Sequence, residues 1–262
     1  MELFTVAKYI QYFLFSHHRK GHGIHSPFVF DLVTRILMNK SVPDFVQRIE
    51  SLREKLKSAP EYLAVEDLGS GSSRLHGTKR KISDIAKVSA VPKKYGLLLS
   101  HIAEVSGSPM ILEFGASFGI STMYMALARP DVPVYTMEGS PEICSVAEKN
   151  FSEAGIRNIK LMQGSFDSLL PSVKGLKISP GLVFIDGDHR KEPLLRYFSE
   201  VAEISGNETV VIIDDIYSGK EMADAWKAIK NRPDVTVTVD IFRMGLVFFR
   251  RGIAKTNCVI RH

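Results

Sequence analysis

Residues 109–122, Pro-Met-Ile-Leu-Glu-Phe-Gly-Ala-Ser-Phe-Gly-Ile-Ser-Thr, decide the fold of this chain. Residues 110–112 form a short apolar run of the kind found in buried parallel strands. Gly115 and Gly119 bracket a tight turn, and residues 120–127 read as the helix that follows. Glycine suits such a turn because it permits positive φ and close backbone approach. A strand, a glycine turn and a helix in this order predict the ligand-binding edge of a doubly wound α/β sheet.

From residue 109 onward, short apolar runs alternate with segments of helical periodicity. Strands are predicted at 109–113, 132–138, 158–162, 181–186, 208–214, 235–241 and 245–250. Helices are predicted at 82–89, 92–105, 120–128, 141–154, 165–171, 190–204 and 219–230. Because only a short turn separates the last two strands, they must pair as a hairpin. The sequence therefore predicts an α/β fold with a doubly wound, seven-stranded, mostly parallel sheet and an antiparallel last strand.

The first 90 residues read as a helical N-terminal extension outside this core. Ser26 and Pro27 are typical of a helix start, with the serine as cap and the proline at the first helical position. Four histidines between residues 17 and 25 stand among basic and glycine residues, which favours a loop that contacts an anionic group over a metal site. Glycine, serine and basic residues dominate 65–82, which predicts a loop or a partly disordered flap, and closure of this basic flap over an anionic or carboxylate-bearing ligand is a hypothesis. The expected domain boundaries are 1–90 for the extension, 91–252 for the core and 253–262 for a C-terminal tail.

Composition sets broad limits on function. A hydrophobic content of 45% and a charged content of 24% are typical of a soluble globular protein with a core of useful size. The net charge of +5 permits anionic partners without implying them, so nucleic acid is not favoured as the main substrate. Cys144 and Cys258 lack a metal-type spacing, which suits a cytoplasmic protein with free thiols. Residues 1–15 are too short to span a bilayer and have no cleavage site, so an amphipathic helix that packs on other helices is preferred over a membrane-surface helix.

Two strand ends carry residues that suit a nucleoside. Glu138 ends the second predicted strand, about twenty residues after the glycine turn, where an acid in this type of sheet lies beside a ribose and accepts from both hydroxyls. A surface glutamate is the alternative, but the spacing and the apolar strand favour the ribose. Ser165 and Phe166 follow the third strand, where they border an adenine ring or, equally well, Ser165 caps a helix.

The fourth and fifth predicted strands both end in acidic residues. Asp186 follows one strand, Asp214 and Asp215 follow the next, and all three should emerge on the edge of the sheet that carries the glycine turn. Converging carboxylates repel and raise one another's pKa, and a divalent cation such as Mg²⁺ is the simplest compensation. The alternative is that Asp215 caps the next helix and Asp188 is solvated. His189, three residues after Asp186, is a candidate general base.

Taken together, these motifs resemble class I S-adenosylmethionine-dependent methyltransferases over residues 92–250. The stretch Leu-Glu-Phe-Gly-Ala-Ser-Phe-Gly-Ile-Ser-Thr is similar to the first motif of that superfamily, Glu138 to its ribose-binding acid, and the hairpin to its last strands. The endings Phe-Ile-Asp-Gly-Asp-His and Ile-Ile-Asp-Asp look closest to cation-dependent O-methyltransferases of the catechol, caffeoyl-CoA and macrocin types. Where the catechol type has a catalytic lysine this chain has His189, which leans toward the macrocin-type sugar enzymes.

The resemblance implies a site for S-adenosylmethionine, a divalent cation and a small-molecule acceptor whose hydroxyl is methylated. The implied cofactor-binding residues are Glu113, Gly115, Ala116, Ser117, Gly119, Ser121, Glu138, Gly139, Ser165, Phe166 and Asp186. The implied metal ligands are Asp186, Asp214 and Asp215, and His189 and Asp186 are the expected catalytic residues. An RNA methyltransferase, a non-catalytic cofactor-binding module and a homodimer stay open. The glycine spacing and the antiparallel last strand argue against an NAD-dependent dehydrogenase, which would carry Gly-x-Gly-x-x-Gly.

Overall fold

The computed structural model describes residues 3–16, 26–65, 77–107 and 109–262, and the elements below lie within these ranges. The helices are α1 Leu3–Phe15, α2 Pro27–Leu32, α3 Phe45–Ser58, α4 Ile82–Ser89, α5 Lys93–Val105, α6 Ile120–Ala128, α7 Pro141–Glu153, α8 Phe166–Gly175, α9 Lys191–Ile204 and α10 Lys220–Asn231. The strands are β1 Tyr62–Ala64, β2 Lys79–Lys81, β3 Ile111–Phe114, β4 Val134–Glu138, β5 Ile159–Gln163, β6 Leu182–Ile185, β7 Val210–Ile213, β8 Val237–Asp240, β9 Gly245–Phe248 and β10 Thr256–Val259. A π-helical segment, Val33–Leu37, continues α2.

The chain divides into two compact units. Unit 1 comprises described residues of Met1–Lys40, Ser106–Ser108 and Ser179–His262, and unit 2 those of Ser41–Val105 and Pro109–Ile178. In unit 2, β3 pairs in parallel with β4 and β4 with β5, while β1 and β2 form a separate antiparallel pair. Every residue of β3 is buried, which explains why its sequence is continuously apolar except for Glu113.

In unit 1, β6 and β7 are parallel, β9 runs antiparallel to both β7 and β8, and β10 runs parallel to β8. The strands β6, β7, β8 and β9 are buried along their whole length. β10 differs because Cys258 is its one buried residue. A strand with mostly polar, half-exposed side chains carries no apolar run, and the sequence therefore indicated only a tail in this region.

The predicted α/β class, with a mostly parallel sheet flanked by helices, is confirmed. Each of the seven predicted strands is present, and the β8–β9 hairpin is antiparallel. The strand count needs a correction, because β10 adds an eighth strand to the seven. Ser26 caps α2 as predicted: its Oγ accepts from the Val29 N–H at 3.4 Å, with Pro27 in the first turn. The histidines at 17–25 and residues 66–76 of the flap lie outside the described residues, so their interpretations stay predictions.

The amphipathic helix predicted at the start of the chain is α1, but its contacts differ from the expected ones. Its buried residue is Tyr12, whereas Leu3 and Leu14 are 87% and 68% exposed. The Tyr12 hydroxyl donates to the Ile260 carbonyl at 2.7 Å and accepts from the His262 N–H at 3.0 Å. The buried Tyr12 and its two hydrogen bonds thus hold α1, whereas the apolar side chains of Leu3 and Leu14 remain exposed. No helix in the described ranges combines the length and the apolar character needed to cross a membrane.

Neither cysteine should react with thiol reagents while the protein is folded. Cys144 and Cys258 are free thiols with 4% and 9% exposure. Burial, reinforced by the nearby Glu138 carboxylate, raises the pKa of Cys144 to about 12, and burial also raises the pKa of Cys258. Because the thiolate is the reactive form, Ellman's reagent should label both residues only after unfolding. Rapid labelling of either thiol in native buffer would contradict this expectation.

Candidate functional site

The glycine turn after β3 has the conformation that the sequence predicts. Gly115 and Gly119 adopt φ values of 92° and 80°, in the region that favours glycine. A Cβ on Gly119 would lie 2.2 Å from Cε1 of Phe151, so a side chain has no room there. The N–H groups of Gly115 and Ala116 donate to the Met137 carbonyl at 3.0 and 3.1 Å, which ties the turn to β4.

Glu138 ends β4 beside this turn, and its carboxylate binds the turn directly. Its Oε2 accepts from the Ser117 N–H at 2.9 Å, and its Oε1 accepts from the Ser140 N–H at 3.1 Å, across Gly139. Ser117 has φ 46°, and its hydroxyl lies 2.8 Å from that of Ser89, the last residue of α4. The structure thus brings together the predicted residues of the glycine turn and Glu138, with the carboxylate fixed in direction by two backbone donors.

Glu113 lies beneath the turn and is fully buried. Its carboxylate accepts from the hydroxyls of Ser121 at 2.6 Å, Thr122 at 2.5 Å and Thr136 at 2.6 Å. Burial raises the pKa of Glu113, and the three hydroxyl donors oppose that rise. The hydrogen bonds of Glu113 therefore join β3 to α6 through Ser121 and Thr122, and to β4 through Thr136. This geometry gives Glu113 and Ser121 a positioning role, and direct contact with a cofactor stays a prediction for them.

Ser165 and Phe166 follow β5, as expected. Ser165 is the N-cap of α8, and its Oγ accepts from the Ser168 N–H at 3.3 Å. Phe166 packs edge-to-face on Phe114 of β3, with ring centroids 5.3 Å apart. The capping alternative for Ser165 is present in the structure, while the adenine contact of both residues stays a prediction.

In unit 1, two acidic residues emerge side by side from the parallel strands β6 and β7. Ile185 lies opposite Ile213 in the strand register, and the Asp214 N–H donates to the Ile185 carbonyl at 3.0 Å. Asp186 and Asp214 therefore follow matched strand ends. Burial raises the pKa of Asp214, and repulsion by Asp186 and Asp215 adds to the rise. The predicted convergence of carboxylates is present within this unit.

His189 lies close to Asp186, as its spacing predicts. Its Nε2 is 3.5 Å from the Asp186 Oδ1. Asp188, between them, has φ 51°, a conformation that aspartate tolerates better than most residues. The Asp188 carboxylate is not simply solvated, because Arg190 binds both of its oxygens at 2.6 and 2.7 Å. This bidentate pair fixes the loop that carries His189.

Arg243, in the turn between β8 and β9, binds the acidic cluster and was not predicted as a site residue. Its Nε donates to the Asp214 Oδ1 at 3.0 Å and its Nη2 to the Oδ2 at 2.7 Å, and Nη2 lies 3.7 Å from the Asp215 Oδ1. Across the part of the chain that the structure describes, no group of three His, Cys, Asp or Glu side chains is arranged to hold a metal ion. The predicted set of Asp186, Asp214 and Asp215 does not fit a divalent cation as it stands, since a guanidinium binds both oxygens of its central member.

A family model described as a methyltransferase domain matches residues 112–216, which run from β3 to the segment after β7. Residues 112–216 are thus similar to known methyltransferase domains. The match begins one residue before Glu113 and includes Glu138, Asp186, His189 and both aspartates after β7.

Curated proteins similar to this chain include proteins named as O-methyltransferases. A catechol O-methyltransferase of Niastella koreensis is 29% identical over 138 residues, which cover 52% of the chain and 62% of that relative. An O-methyltransferase of Aspergillus flavus is 26% identical over 147 residues, 54% of the chain and 57% of the relative. The chain thus spans about three fifths of the length of these curated relatives.

Solved structures have a fold similar to that of this chain. An O-methyltransferase of Bacillus cereus, in complex with S-adenosylhomocysteine, superposes with a TM-score of 0.56 at 18% identity, over 84% of the chain and 97% of that structure. The predicted resemblance to methyltransferases is confirmed for residues 112–216, and the solved structure agrees with the predicted fold.

Three residues that contact predicted site residues or the glycine turn within their own unit were not predicted from the sequence. Asn150 of α7 donates from its side chain to the Phe118 carbonyl at 2.9 Å, which fixes the glycine turn from below. Ser89 contacts the turn from a helix distant in sequence. Arg243 had one usable signal: a single arginine in a tight turn between two apolar strands, beside a sheet with acidic strand ends.

Proposed function

We propose that this chain is an S-adenosylmethionine-dependent methyltransferase that transfers a methyl group to a hydroxyl of a small molecule. The observation that carries the proposal is the Glu138 carboxylate at the end of β4, oriented by the Ser117 and Ser140 N–H groups at the glycine turn. The match to a methyltransferase domain and the O-methyltransferase relatives support the reaction class.

Unit 2 supplies the residues proposed to hold the cofactor. When bound, S-adenosylmethionine supplies a methyl group activated on a sulfonium. Glu138 is proposed to accept from the ribose hydroxyls, because its carboxylate lies at the end of β4 and is held in direction by two backbone donors. The Gly115–Gly119 turn presents backbone without side chains, which suits close approach of the methionine portion. Glu113 holds this backbone from beneath through Ser121 and Thr122.

Unit 1 supplies the residues proposed to act on the acceptor. His189 is the proposed general base, because imidazole can take a hydroxyl proton near neutral pH. The Asp186 carboxylate, 3.5 Å from its Nε2, would stabilise the imidazolium that forms. Methyl transfer needs the acceptor oxygen in line with the methyl group, and positioning of this kind contributes on the order of 7–11 kcal/mol. The divalent cation expected from the sequence would have to displace Arg243 to reach Asp214, so the proposed reaction does not include it.

Calorimetric titration with S-adenosylhomocysteine tests the cofactor site. Wild type should bind, and Glu138→Gln should bind about 10–100-fold more weakly, because charge-assisted hydrogen bonds contribute about 1.5–3 kcal/mol each. Glu148→Gln is the matched control, since Glu148 is an exposed glutamate on the following helix, and its affinity should equal that of wild type. No binding by wild type, or equal binding by Glu138→Gln, would refute the proposed site.

Turnover is then measured as S-adenosylhomocysteine release with a panel of catechols, other phenols and sugar hydroxyls. A product with one added methyl group on oxygen would support the proposed reaction, and His189→Asn should lower kcat with little change in cofactor affinity. Binding without turnover on any acceptor would instead support a non-catalytic module. Homodimer formation stays a prediction.

A further inference from the structure

The contact between Arg243 and Asp214 closes the Asp214 carboxylate, in the acidic cluster of unit 1, to ions from solvent. Two parallel N–H donors of the guanidinium use both oxygens of the Asp214 carboxylate. The Asp214 side chain has 0% exposure and that of Arg243 has 28%. A hydrated cation therefore cannot reach the Asp214 oxygens unless the guanidinium leaves.

The Arg243 guanidinium also supplies the positive charge that the converging carboxylates require. Its Nε and Nη2 bind the Asp214 carboxylate, and its Nη2 lies 3.7 Å from the Asp215 Oδ1. Two of the three predicted metal ligands thus face one permanently charged group. A guanidinium also matches carboxylate geometry better than an ammonium does, because its donors form a rigid fork.

The backbone holds Arg243 in place before any ligand arrives. The Ile216 N–H donates to the Arg243 carbonyl at 3.2 Å, so both the backbone and the side chain of Arg243 bind the segment that follows β7. On the other side of the turn, the Phe242 N–H donates to the Asp240 Oδ1 at 2.9 Å. A side chain anchored in this way is a fixed part of the cluster rather than a mobile surface arginine.

We propose that Arg243 is the built-in cation of this cluster, holding Asp214 and Asp215 where the sequence places a divalent ion, so that the chain needs no divalent cation there. The inference deepens the proposed function, and its consequence for catalysis rests on that function: methyl transfer should continue in the presence of a chelator. Cation binding itself is measurable without cofactor or turnover, so a failure of one proposal is distinguishable from a failure of the other.

The test is Mn²⁺ titration, followed by electron paramagnetic resonance, on wild type and Arg243→Met. Wild type should show no saturable binding at the cluster. Arg243→Met removes the charge and the two donors while keeping an unbranched side chain, and should show saturable Mn²⁺ binding, with a dissociation constant at least about tenfold below the highest Mn²⁺ concentration that leaves wild type unbound. Arg243→Lys keeps the charge and should show no such gain.

Arg232→Met is the matched control. Arg232 is not part of the cluster and binds both oxygens of Asp234, at 2.9 and 2.7 Å. Arg232→Met should not change Mn²⁺ binding. A folded Arg243→Met that gains no Mn²⁺ affinity would overturn the proposal. If circular dichroism shows that Arg243→Met does not fold, Mn²⁺ titration of wild type and Asp215→Asn replaces it. Saturable binding by wild type that Asp215→Asn abolishes would overturn the proposal. The absence of such binding would support it.

Discussion

Gly119→Ala should destabilise the protein by about 2–5 kcal/mol and weaken S-adenosylhomocysteine binding at least about tenfold. Two costs add at this position. The φ of 80° is unfavourable for any residue with a Cβ, and the new methyl group would lie 2.2 Å from the Phe151 ring. Phe151 is itself buried, so the turn must move instead, and with it the backbone proposed to carry the cofactor. Chemical denaturation and calorimetric titration measure the two effects.

Gly155→Ala separates these two costs. Gly155 also has a positive φ, 67°, but a Cβ there would meet no atom within 4 Å. Its alanine variant should lose only the conformational cost, about 1–2 kcal/mol, and keep wild-type cofactor affinity. Equal destabilisation by the two variants would show that Phe151 yields, and that the close approach at Gly119 does not shape the turn.

Glu113→Ala should lower the free energy of unfolding by about 3–5 kcal/mol, because Glu113 is fully buried. The change leaves the buried hydroxyls of Ser121, Thr122 and Thr136 without their shared acceptor and opens a cavity beneath the turn. Thermal and urea unfolding measure the loss. A destabilisation below about 1 kcal/mol, on the order of an ordinary surface substitution, would contradict the positioning role.

Glu113→Gln should remove a pH dependence of stability that wild type has, because glutamine cannot titrate. Burial raises the pKa of Glu113 above its ordinary 4.5, so the folded state binds the proton more tightly than the unfolded state. The corresponding stability is fully present below pH 4.5 and is lost as the pH rises toward the folded pKa, at about 1.4 kcal/mol for each pH unit between the unfolded and folded pKa values. Wild type should therefore lose stability relative to Glu113→Gln as the pH rises from 4.5 to neutrality.

Glu104→Gln, at an exposed position of α5, reports the effect of removing one negative charge from the surface. Urea unfolding of all three proteins at several pH values gives the comparison. A difference between wild type and Glu113→Gln that stays constant with pH would show that the Glu113 carboxyl titrates alike in both states.

The core elements were predictable because burial leaves a local mark on the sequence. β3, β6 and β7 are buried along their whole length, so each is an apolar run, which only Glu113 interrupts in β3. Glu138 was predictable for a related reason, since the end of an apolar strand and its distance from a glycine turn are both readable in one dimension.

Features that depend on contacts between distant segments were not predictable. The side chain of Arg243 binds Asp214, 29 residues earlier, and the spacing of the two residues in the sequence does not indicate this contact. β10 lacks an apolar run and depends on its pairing with β8. The positioning role of Glu113 likewise follows from hydroxyls on β4 and α6 that only the fold brings together.

The hydrogen bonds of Tyr12 have a consequence for the order of events during synthesis. Its hydroxyl binds the backbone of Ile260 and His262, 248 and 250 residues later in the chain. During synthesis, α1 can therefore form these two hydrogen bonds only after residues 260–262 have been made. The docking of α1 within unit 1 thus depends on a contact between distant segments rather than on its neighbours along the chain.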